Sequence, residues 1–212
     1  FAQAIADANP GSALAQNLST FKRWYSQAGT PRLQARGVYN AAERSYTLTL
    51  SQSCPATPGQ DSKQPFVIPV TLGLLSSDGQ ALSLQQAGSA DVLPQQTLVL
   101  TEASASYTFV NIDSELVPSL LRGFSAPVVL DDGLSTADLL CLLAHDSDPF
   151  NQWEAGQRLM LQSAVQALTQ AEASGPVLSD ELVAALRNVL RHPGLDAAFK
   201  DLALTLPSEN YI

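Results

Sequence analysis

The chain comprises 212 residues with a formal net charge of −9, and 45% of its residues are hydrophobic and 15% charged. This composition is typical of a globular protein with a sizeable core and argues against a disordered chain. No stretch approaches the roughly 20 consecutive apolar residues that a membrane-spanning helix needs. The acidic balance argues against a nucleic-acid partner, whose phosphates require a basic surface.

The first 30 residues predict two short helices separated by the turn sequence NPGS at residues 9–12. The second helix contains the segment FKRWYSQAGTP, residues 21–31, in which four side chains recur at helical spacing: Phe21, Trp24, Tyr25 and Ala28. Gly29 is the residue type that ends a helix in a left-handed conformation, and Pro31 cannot continue one. We therefore expect a helix exit followed by a strand.

From Arg32 to Asp132 the hydrophobic period changes to two, which is typical of strands. The alternating or apolar sets are Tyr46/Leu48/Leu50, Val70/Leu72/Leu74, Leu98/Leu100, Tyr107/Phe109 and Phe124 through Leu130. Turn sequences rich in Pro, Gly, Asn and Asp separate them. Short strands spaced in this way, without a long helix for parallel crossovers, favour an antiparallel sandwich.

After Gly133 the pattern becomes helical. Ser135 with Asp138 predicts a capped helix start, and Asp148 before Pro149 predicts another. The second of these helices carries most of its large apolar side chains along one face: Phe150, Trp153, Leu161, Ala164, Val165 and Leu168. Two shorter helices follow, with Leu182/Val183/Leu186/Leu190 and Phe199/Leu202. Successive amphipathic helices with short turns indicate a helical array.

The sequence FKRWYSQAGTP resembles the end of the catalytic domain in the aminopeptidase N family. These proteins are zinc exopeptidases that remove N-terminal residues from peptides. Further segments resemble that family in the same order: YTLTLSQ from Tyr46, PATPGQDSKQPFVIPVTLGLL from Pro55, LVPSLLRGFSAPVVL from Leu116, DSDPFNQWEAGQRL from Asp146 and ALTLPSENYI at the end. The resemblance covers nearly the whole chain and is nearest to bacterial members, which implies a cytoplasmic protein.

The resemblance implies three parts. Residues 1–30 would be the last helices of a thermolysin-like catalytic domain, residues 31–132 an immunoglobulin-like β-sandwich, and residues 133–212 the start of a C-terminal helical superhelix. Family members bind zinc through a helical H-E-x-x-H motif and a distal Glu. This chain has only two histidines, His145 and His192, and no such motif. The resemblance therefore assigns no catalytic, cofactor-binding or metal-binding residue to this chain, and zinc only to the parent enzyme.

The residues themselves support the same expectation. His145, Asp146 and Asp148 offer at most part of a zinc shell and are better explained as helix-end residues. His192 is expected to meet carbonyls at another helix end. Two acidic pairs, Asp131–Asp132 and Asp180–Glu181, are expected in a turn and in a helix first turn rather than in acid–base catalysis.

The remaining reactive or aromatic side chains are expected to be structural. Trp24 and Trp153 are expected to be packing anchors. Cys141 lies in the apolar run LLCLLA and is expected to be buried, whereas Cys54 lies in a Pro-rich loop. Such sparse cysteine usage favours a reducing compartment, although a single bridge between the two stays possible.

The sequence thus predicts a non-catalytic segment of a zinc aminopeptidase, inactive alone. Its partners would be the remainder of the same polypeptide and, in the parent, a peptide substrate. Its role would be to orient the helical domain over the active site. The alternative is a stand-alone β-sandwich that binds peptides or sugars and carries a helical appendage. The segment hypothesis predicts exposed apolar surface on residues 1–30 and near 195–212, whereas the binding-module hypothesis predicts a polar surface.

Overall fold

A computed structural model describes residues 1–169 and 177–208. These residues form two compact units, and the chain passes between them more than once. The first unit comprises Phe1–Leu72, Ser83–Ser114 and Phe124–Gly133, and the second comprises Gly73–Leu82, Glu115–Gly123 and the described part of Leu134–Ile212. The last four residues of the segment ALTLPSENYI lie outside the described residues.

The N-terminal residues are helical but more broken than the sequence predicts. Four short helices replace the expected two: α1 (Ala2–Ala8), α2 (Ala13–Gln16), α3 (Leu18–Phe21) and α4 (Arg23–Ser26). The last of them ends at Ser26, and Gln27 is already extended, with a ψ of 126°. Gly29 has a φ of +96°, which confirms the left-handed conformation predicted there.

Trp24 holds this segment in place within the first unit, as predicted. Its indole N–H donates to the carbonyl of Val67 at 2.9 Å, and its ring centroid lies 4.6 Å from that of Phe66. A Tyr or Trp that is packed on one side needs such a polar partner. Gln27 and Gln64 add a reciprocal pair of hydrogen bonds of 2.9 and 2.7 Å.

Eight strands follow, and they confirm the immunoglobulin-like β fold. Their bounds are β1 (Arg32–Asn40), β2 (Ser45–Ser53), β3 (Ile68–Ser76), β4 (Ala81–Leu82), β5 (Gln96–Leu100), β6 (Ser104–Val110), β7 (Leu116–Leu120) and β8 (Val129–Asp131). One sheet has the order β6-β2-β1-β8, and the other has the order β4-β3-β5 with β7 also paired to β3. The pairs β1–β2, β2–β6, β3–β4 and β3–β5 are antiparallel, whereas β1 and β8 are parallel over three residue pairs.

The alternation predicted for the strands matches their burial, with one exception. The inward positions are almost fully buried: Tyr46, Leu48, Leu50, Val70, Leu72, Leu98, Leu100 and Phe109. Phe124, by contrast, is 56% exposed with a φ of +53°, in a 3₁₀ turn at Arg122–Phe124, so the strand predicted from Phe124 is wrong there. Only Val129–Asp131 is a strand. Strand β7 was not predicted from the sequence. Pro118 lies inside it, and proline is tolerated only in strands that leave its missing N–H unpaired.

Helices α5 (Thr136–His145), α6 (Pro149–Thr169), α7 (Asp180–Arg191) and α8 (Ala197–Leu204) confirm the helical region. The start of α5 has the predicted capping box. The Ser135 hydroxyl accepts from the N–H of Asp138 at 3.2 Å, and the Asp138 carboxylate accepts from the N–H of Ser135 at 2.8 Å. Ser179 caps α7 by accepting from the N–H of Leu182, and Asp196 caps α8 by accepting from the N–H of Phe199.

The buried face of α6 is opposite to the apolar face that the sequence indicates. The buried residues are Asn151, Gln152, Ala155, Gly156, Leu159 and Met160. Leu168, on the face read from the sequence, is 67% exposed. The reversal is possible because the two amides are satisfied inside: Asn151 donates to Ser119 and Leu120, each at 2.8 Å, and Gln152 donates to the carbonyl of Leu143 at 2.8 Å.

The same substitution at two positions of α6 tests which face stabilises the fold. Leu159→Ala is expected to reduce the free energy of unfolding by about 2–5 kcal/mol, because it opens a cavity in a packed core. Leu168→Ala, on the exposed face of the same helix, is expected to change it by less than about 0.5 kcal/mol. Urea unfolding followed by circular dichroism measures both, and equal losses would contradict the observed orientation of the helix.

Both cysteines carry free thiols. Cys141 lies half-buried beside the helical core, less enclosed than the sequence predicts, with its Sγ 3.7 Å from the carbonyl oxygen of Ser76. Burial raises the pKa of the Cys141 thiol, and the nearby Asp138, Asp146 and Asp78 carboxylates raise it further. Both effects disfavour the reactive thiolate.

We therefore expect Cys141 to be alkylated slowly while the protein is folded. In a Cys54→Ser background at pH 8, iodoacetamide should modify Cys141 at least about tenfold more slowly than in 8 M urea, where the thiol is solvated and its pKa ordinary. Intact-mass spectrometry over time gives both rates. Similar rates in the two conditions would show that Cys141 is neither shielded nor shifted.

Candidate functional site

The candidate metal ligands predicted by the sequence lie where α5 ends and α6 begins. His145 is the last residue of α5, and its imidazole lies against the backbone of Gly79, whose φ of +86° and lack of a Cβ make room for the ring. Asp148 accepts from the N–H of Asn151 at 3.0 Å, which confirms it as a cap of α6. Its other carboxylate oxygen accepts from the N–H of Gly123 at 2.8 Å.

Asp146 holds a buried charge, which the sequence analysis did not predict. Its carboxylate accepts from the Arg122 guanidinium at 2.5 Å, from the Ser119 hydroxyl at 2.6 Å and from the N–H of Asp148 at 2.9 Å. The exposed fractions of the Arg122 and Asp146 side chains are 10% and 0%. A carboxylate removed from water in this way needs both a counter-charge and hydrogen-bond donors.

Ser119 links this ion pair to α6 and uses its full hydrogen-bonding capacity. Its hydroxyl donates to Asp146 and accepts from Arg122 Nε at 3.0 Å and from the Asn151 amide at 2.8 Å. A serine hydroxyl has one donor and two lone pairs, so this side chain is saturated. We call Ser119, Arg122, Asp146 and Asn151 the buried polar cluster.

The sequence contains one signal from which this cluster could have been predicted. Arg122 is the only charged residue in the segment LVPSLLRGFSAPVVL. A lone arginine in an otherwise apolar stretch is a candidate for burial, and a buried arginine requires a carboxylate. The arginine also explains Gly73, because a Cβ at that position would lie 2.7 Å from the guanidinium carbon.

Both histidines line one cleft of about 690 Å³ in the second unit, together with Asp196, Leu195, Phe199 and other residues at the helix ends. This volume is in the range of about 300–1,000 Å³ found for small-molecule sites. The His192 side chain does not cap carbonyls as predicted. Its Nδ1 instead accepts from the N–H of Gly194 at 3.1 Å and stabilises the turn after α7.

The two acidic pairs are separate features with local roles. Asp131 ends β8 and pairs with Arg36 at 2.8 Å, and the hydrogen bonds from Arg36 and then Gln34 lower the pKa of this exposed carboxyl. Asp180 and Glu181 occupy the first turn of α7, as predicted. A backbone N–H of that turn and then the Ser179 hydroxyl lower the pKa of Glu181.

The residues present do not fit a zinc site. Within 1–169 and 177–208, no three His, Cys, Asp or Glu side chains are arranged to hold a metal ion. The nearest set, around the cleft, is already engaged: Asp146 binds Arg122, Asp196 caps α8 and His192 accepts from a backbone N–H. Neither imidazole is hydrogen-bonded to a serine or cysteine in the described parts of the chain, so the cleft offers no activated nucleophile of the triad type. The prediction that this chain has no site of its own stays a prediction.

None of the helices in the described ranges is both long enough and apolar enough to cross a membrane.

Comparisons with known proteins match almost the whole chain. A family model described as a domain of unknown function, DUF3458, with an Ig-like fold matches residues 29–133. A second, described as DUF3458_C, ARM repeats, matches residues 136–212. Together the two regions correspond to the β-rich and helical parts described above.

Named relatives agree with both models. Aminopeptidase N of Escherichia coli K12 is 36% identical over 211 residues, which is 99% of this chain and 23% of that protein. Aminopeptidase N of Haemophilus influenzae is 38% identical over 91% of this chain and 22% of that protein. The crystal structure of Legionella pneumophila aminopeptidase A in complex with aspartic acid superposes with a TM-score of 0.73 at 26% identity, over 91% of this chain and 20% of that one.

The chain therefore spans about a fifth of the length of these relatives. Identity of 36–39% over nearly all of its residues, in the order expected for an Ig-like region followed by helices, shows common descent. The chain is homologous to the Ig-like and adjoining helical region of aminopeptidase N.

Proposed function

We propose that this chain is a non-catalytic structural segment of a zinc-dependent aminopeptidase that removes N-terminal residues from peptides. Its homology to aminopeptidase N and its match to about a fifth of each relative support this proposal. In the parent enzyme, zinc would polarise the first peptide bond and activate water. The residues that hold it would lie in other parts of the polypeptide, because the side chains described here do not fit the metal. The two free thiols fit a reducing, cytoplasmic location.

The role proposed for the segment is to position the helical region. The observation that carries this role is a core in which strand residues and helix residues are mixed. Leu75 from β3 and Val117 from β7 belong to the same buried cluster as Leu139, Leu142 and Leu143 of α5 and as residues of α6, α7 and α8. Helices whose core includes parts of two strands cannot move freely with respect to those strands.

The buried polar cluster supports the same role. Arg122 follows β7 directly, whereas Asp146 and Asn151 lie at the junction of α5 and α6. Its hydrogen bonds have fixed directions, unlike apolar contacts, and so define where α6 starts relative to β7. An orienting role in the parent enzyme requires directional hydrogen bonds of this kind.

Exposed apolar side chains occur in both stretches where the segment hypothesis expects them. In the N-terminal stretch, Phe1, Ile5 and Tyr25 are 96%, 40% and 69% exposed. In the last described residues, Leu202 and Leu206 are 54% and 64% exposed. These side chains support burial against further protein, although exposed apolar side chains such as Val38 and Leu168 also occur outside the two stretches.

Substitution of Arg122 tests the role proposed for the buried polar cluster. Arg122→Met leaves Asp146 buried without its counter-charge and is expected to lower the free energy of unfolding by about 3–5 kcal/mol. Arg122→Lys keeps the charge but loses the planar fork, and its midpoint of urea unfolding should lie between those of wild type and Arg122→Met. Arg36→Met removes an exposed pair and should leave the midpoint nearly unchanged. Equal effects of Arg36→Met and Arg122→Met would contradict the assigned role.

The absence of activity in this segment is tested by comparison with the complete product of its reading frame. We expect the 212-residue chain to release no 4-nitroaniline from alanyl 4-nitroanilide and to bind no stoichiometric zinc in elemental analysis. The complete product should do both, and a chelator should abolish its activity. Zinc-dependent hydrolysis by the 212-residue chain alone would overturn the proposal. A complete product without zinc or peptidase activity would instead favour the binding-module alternative.

A further inference from the structure

An apolar groove lies between the start of α6 and the length of α8. It encloses about 230 Å³ and is lined by Pro149, Phe150 and Trp153 of α6 and by Phe199 and Leu202 of α8. The Phe150 and Trp153 rings lie side by side with centroids 5.9 Å apart. Among the residues that the structure describes, no charged side chain lines the groove. Leu202 is 54% exposed there, so its side of the groove is accessible to solvent.

The groove continues the interface that already joins these two helices. Ala203, next to Leu202, is completely buried in the helical core, and Phe199 packs against the same core. Gln157, one turn beyond Trp153 on α6, donates to the carbonyl of Thr205 at 2.9 Å, just past the end of α8. The groove therefore has fixed walls, and whatever fills it extends an existing helix–helix interface.

The size and lining of the groove indicate what fills it. A volume of about 230 Å³ is below the roughly 300–1,000 Å³ of small-molecule sites. Walls without charge offer nothing to orient a polar ligand or an anion. Two helices that present ridges of apolar side chains instead suit the apolar face of a third helix, with side chains at i, i+3 or i+4, and i+7.

The match to ARM repeats points to a source for such a helix. Helical repeats bury their apolar faces against the next repeat rather than inside themselves, so a face at the side of one repeat is covered by its neighbour. The relatives are more than four times as long as this chain, which leaves ample sequence for further repeats. A helix from such a repeat would cover the apolar face of α6 that points away from its own core.

We propose that an amphipathic helix from another part of the same polypeptide docks in the groove between α6 and α8 and covers Trp153 and Leu202. This inference rests on the proposed function, since it requires a parent polypeptide with further helical repeats. The docked helix presents Leu, Ile, Val, Met or Phe to the groove and carries no charge on that face.

Thiol accessibility tests the proposal. Leu202→Cys is introduced in a Cys54→Ser/Cys141→Ser background, both in the 212-residue chain and in the complete product of the reading frame. N-ethylmaleimide is added, and the peptide that contains residue 202 is quantified by mass spectrometry over time. The matched control is Asp201→Cys, an exposed position one residue earlier on α8. We expect Cys at 202 to react in the 212-residue chain at a rate within about threefold of the control, and at least about 100-fold more slowly in the complete product, while the control stays fast in both.

Each other outcome is informative. A complete product that is an active zinc aminopeptidase but leaves position 202 as reactive as the control would overturn the groove proposal and leave the proposed function intact. A complete product without zinc and activity would overturn the proposed function. Slow reaction at 202 in the 212-residue chain that depends on protein concentration, with a dimer mass in light scattering, would show that a second copy occupies the groove and would also overturn the proposal.

Discussion

The carboxylate of Asp146 imposes the constraint on which the rest of the second unit depends. A fully buried charge is tolerated only where a counter-charge and several donors meet it, and here they come from separated parts of the chain: Arg122 and Ser119 near β7, and the N–H of Asp148 before α6. These partners must be in place together. Strand β7 and the α5–α6 turn are consequently parts of one structural unit, although the chain between them passes through the first unit.

This constraint also explains why the polar side chains of Asn151 and Gln152 in α6 are buried. Asn151 must reach Ser119 and Leu120, and Gln152 must reach the last turn of α5, so both amides point into the interior. The small residues Ala155 and Gly156 then follow on the same face, where α5 packs closely; a Cβ on Gly156 would lie 3.2 Å from Leu143. Apolar side chains such as Phe150, Trp153 and Leu168 are left on the opposite face. Hydrogen-bond satisfaction, rather than hydrophobicity alone, decides the orientation of this helix.

The sequence predicted what depends on local chemistry. Caps such as Ser135 and Asp148, the positive φ of Gly29 and the inward alternation of β2 follow from neighbouring residues, and the structure confirms them. The sequence could not show contacts between distant residues. The partnership of Arg122 with Asp146 spans 24 positions, and β7, which contains Pro118, was not predicted either. The face of α6 was misread for the same reason, because burial of Asn151 makes sense only once Ser119 lies beside it.

The segment FKRWYSQAGTP, which carries part of the family resemblance, has a structural role in this chain rather than a catalytic one. Its side chains and backbone form hydrogen bonds with the loop PATPGQDSKQPFV, another segment that carries the family resemblance. Arg23 donates to the carbonyl of Pro65 at 2.5 Å, and the Ala28 N–H donates to Gln60 at 2.8 Å. Lys63 in turn donates to the carbonyl of Ala28 at 2.9 Å. Two segments that satisfy each other's backbone groups must change together, because a substitution in one leaves polar groups of the other unsatisfied. Contacts that join two segments of the fold can therefore carry the family resemblance, since they specify how these segments fit together.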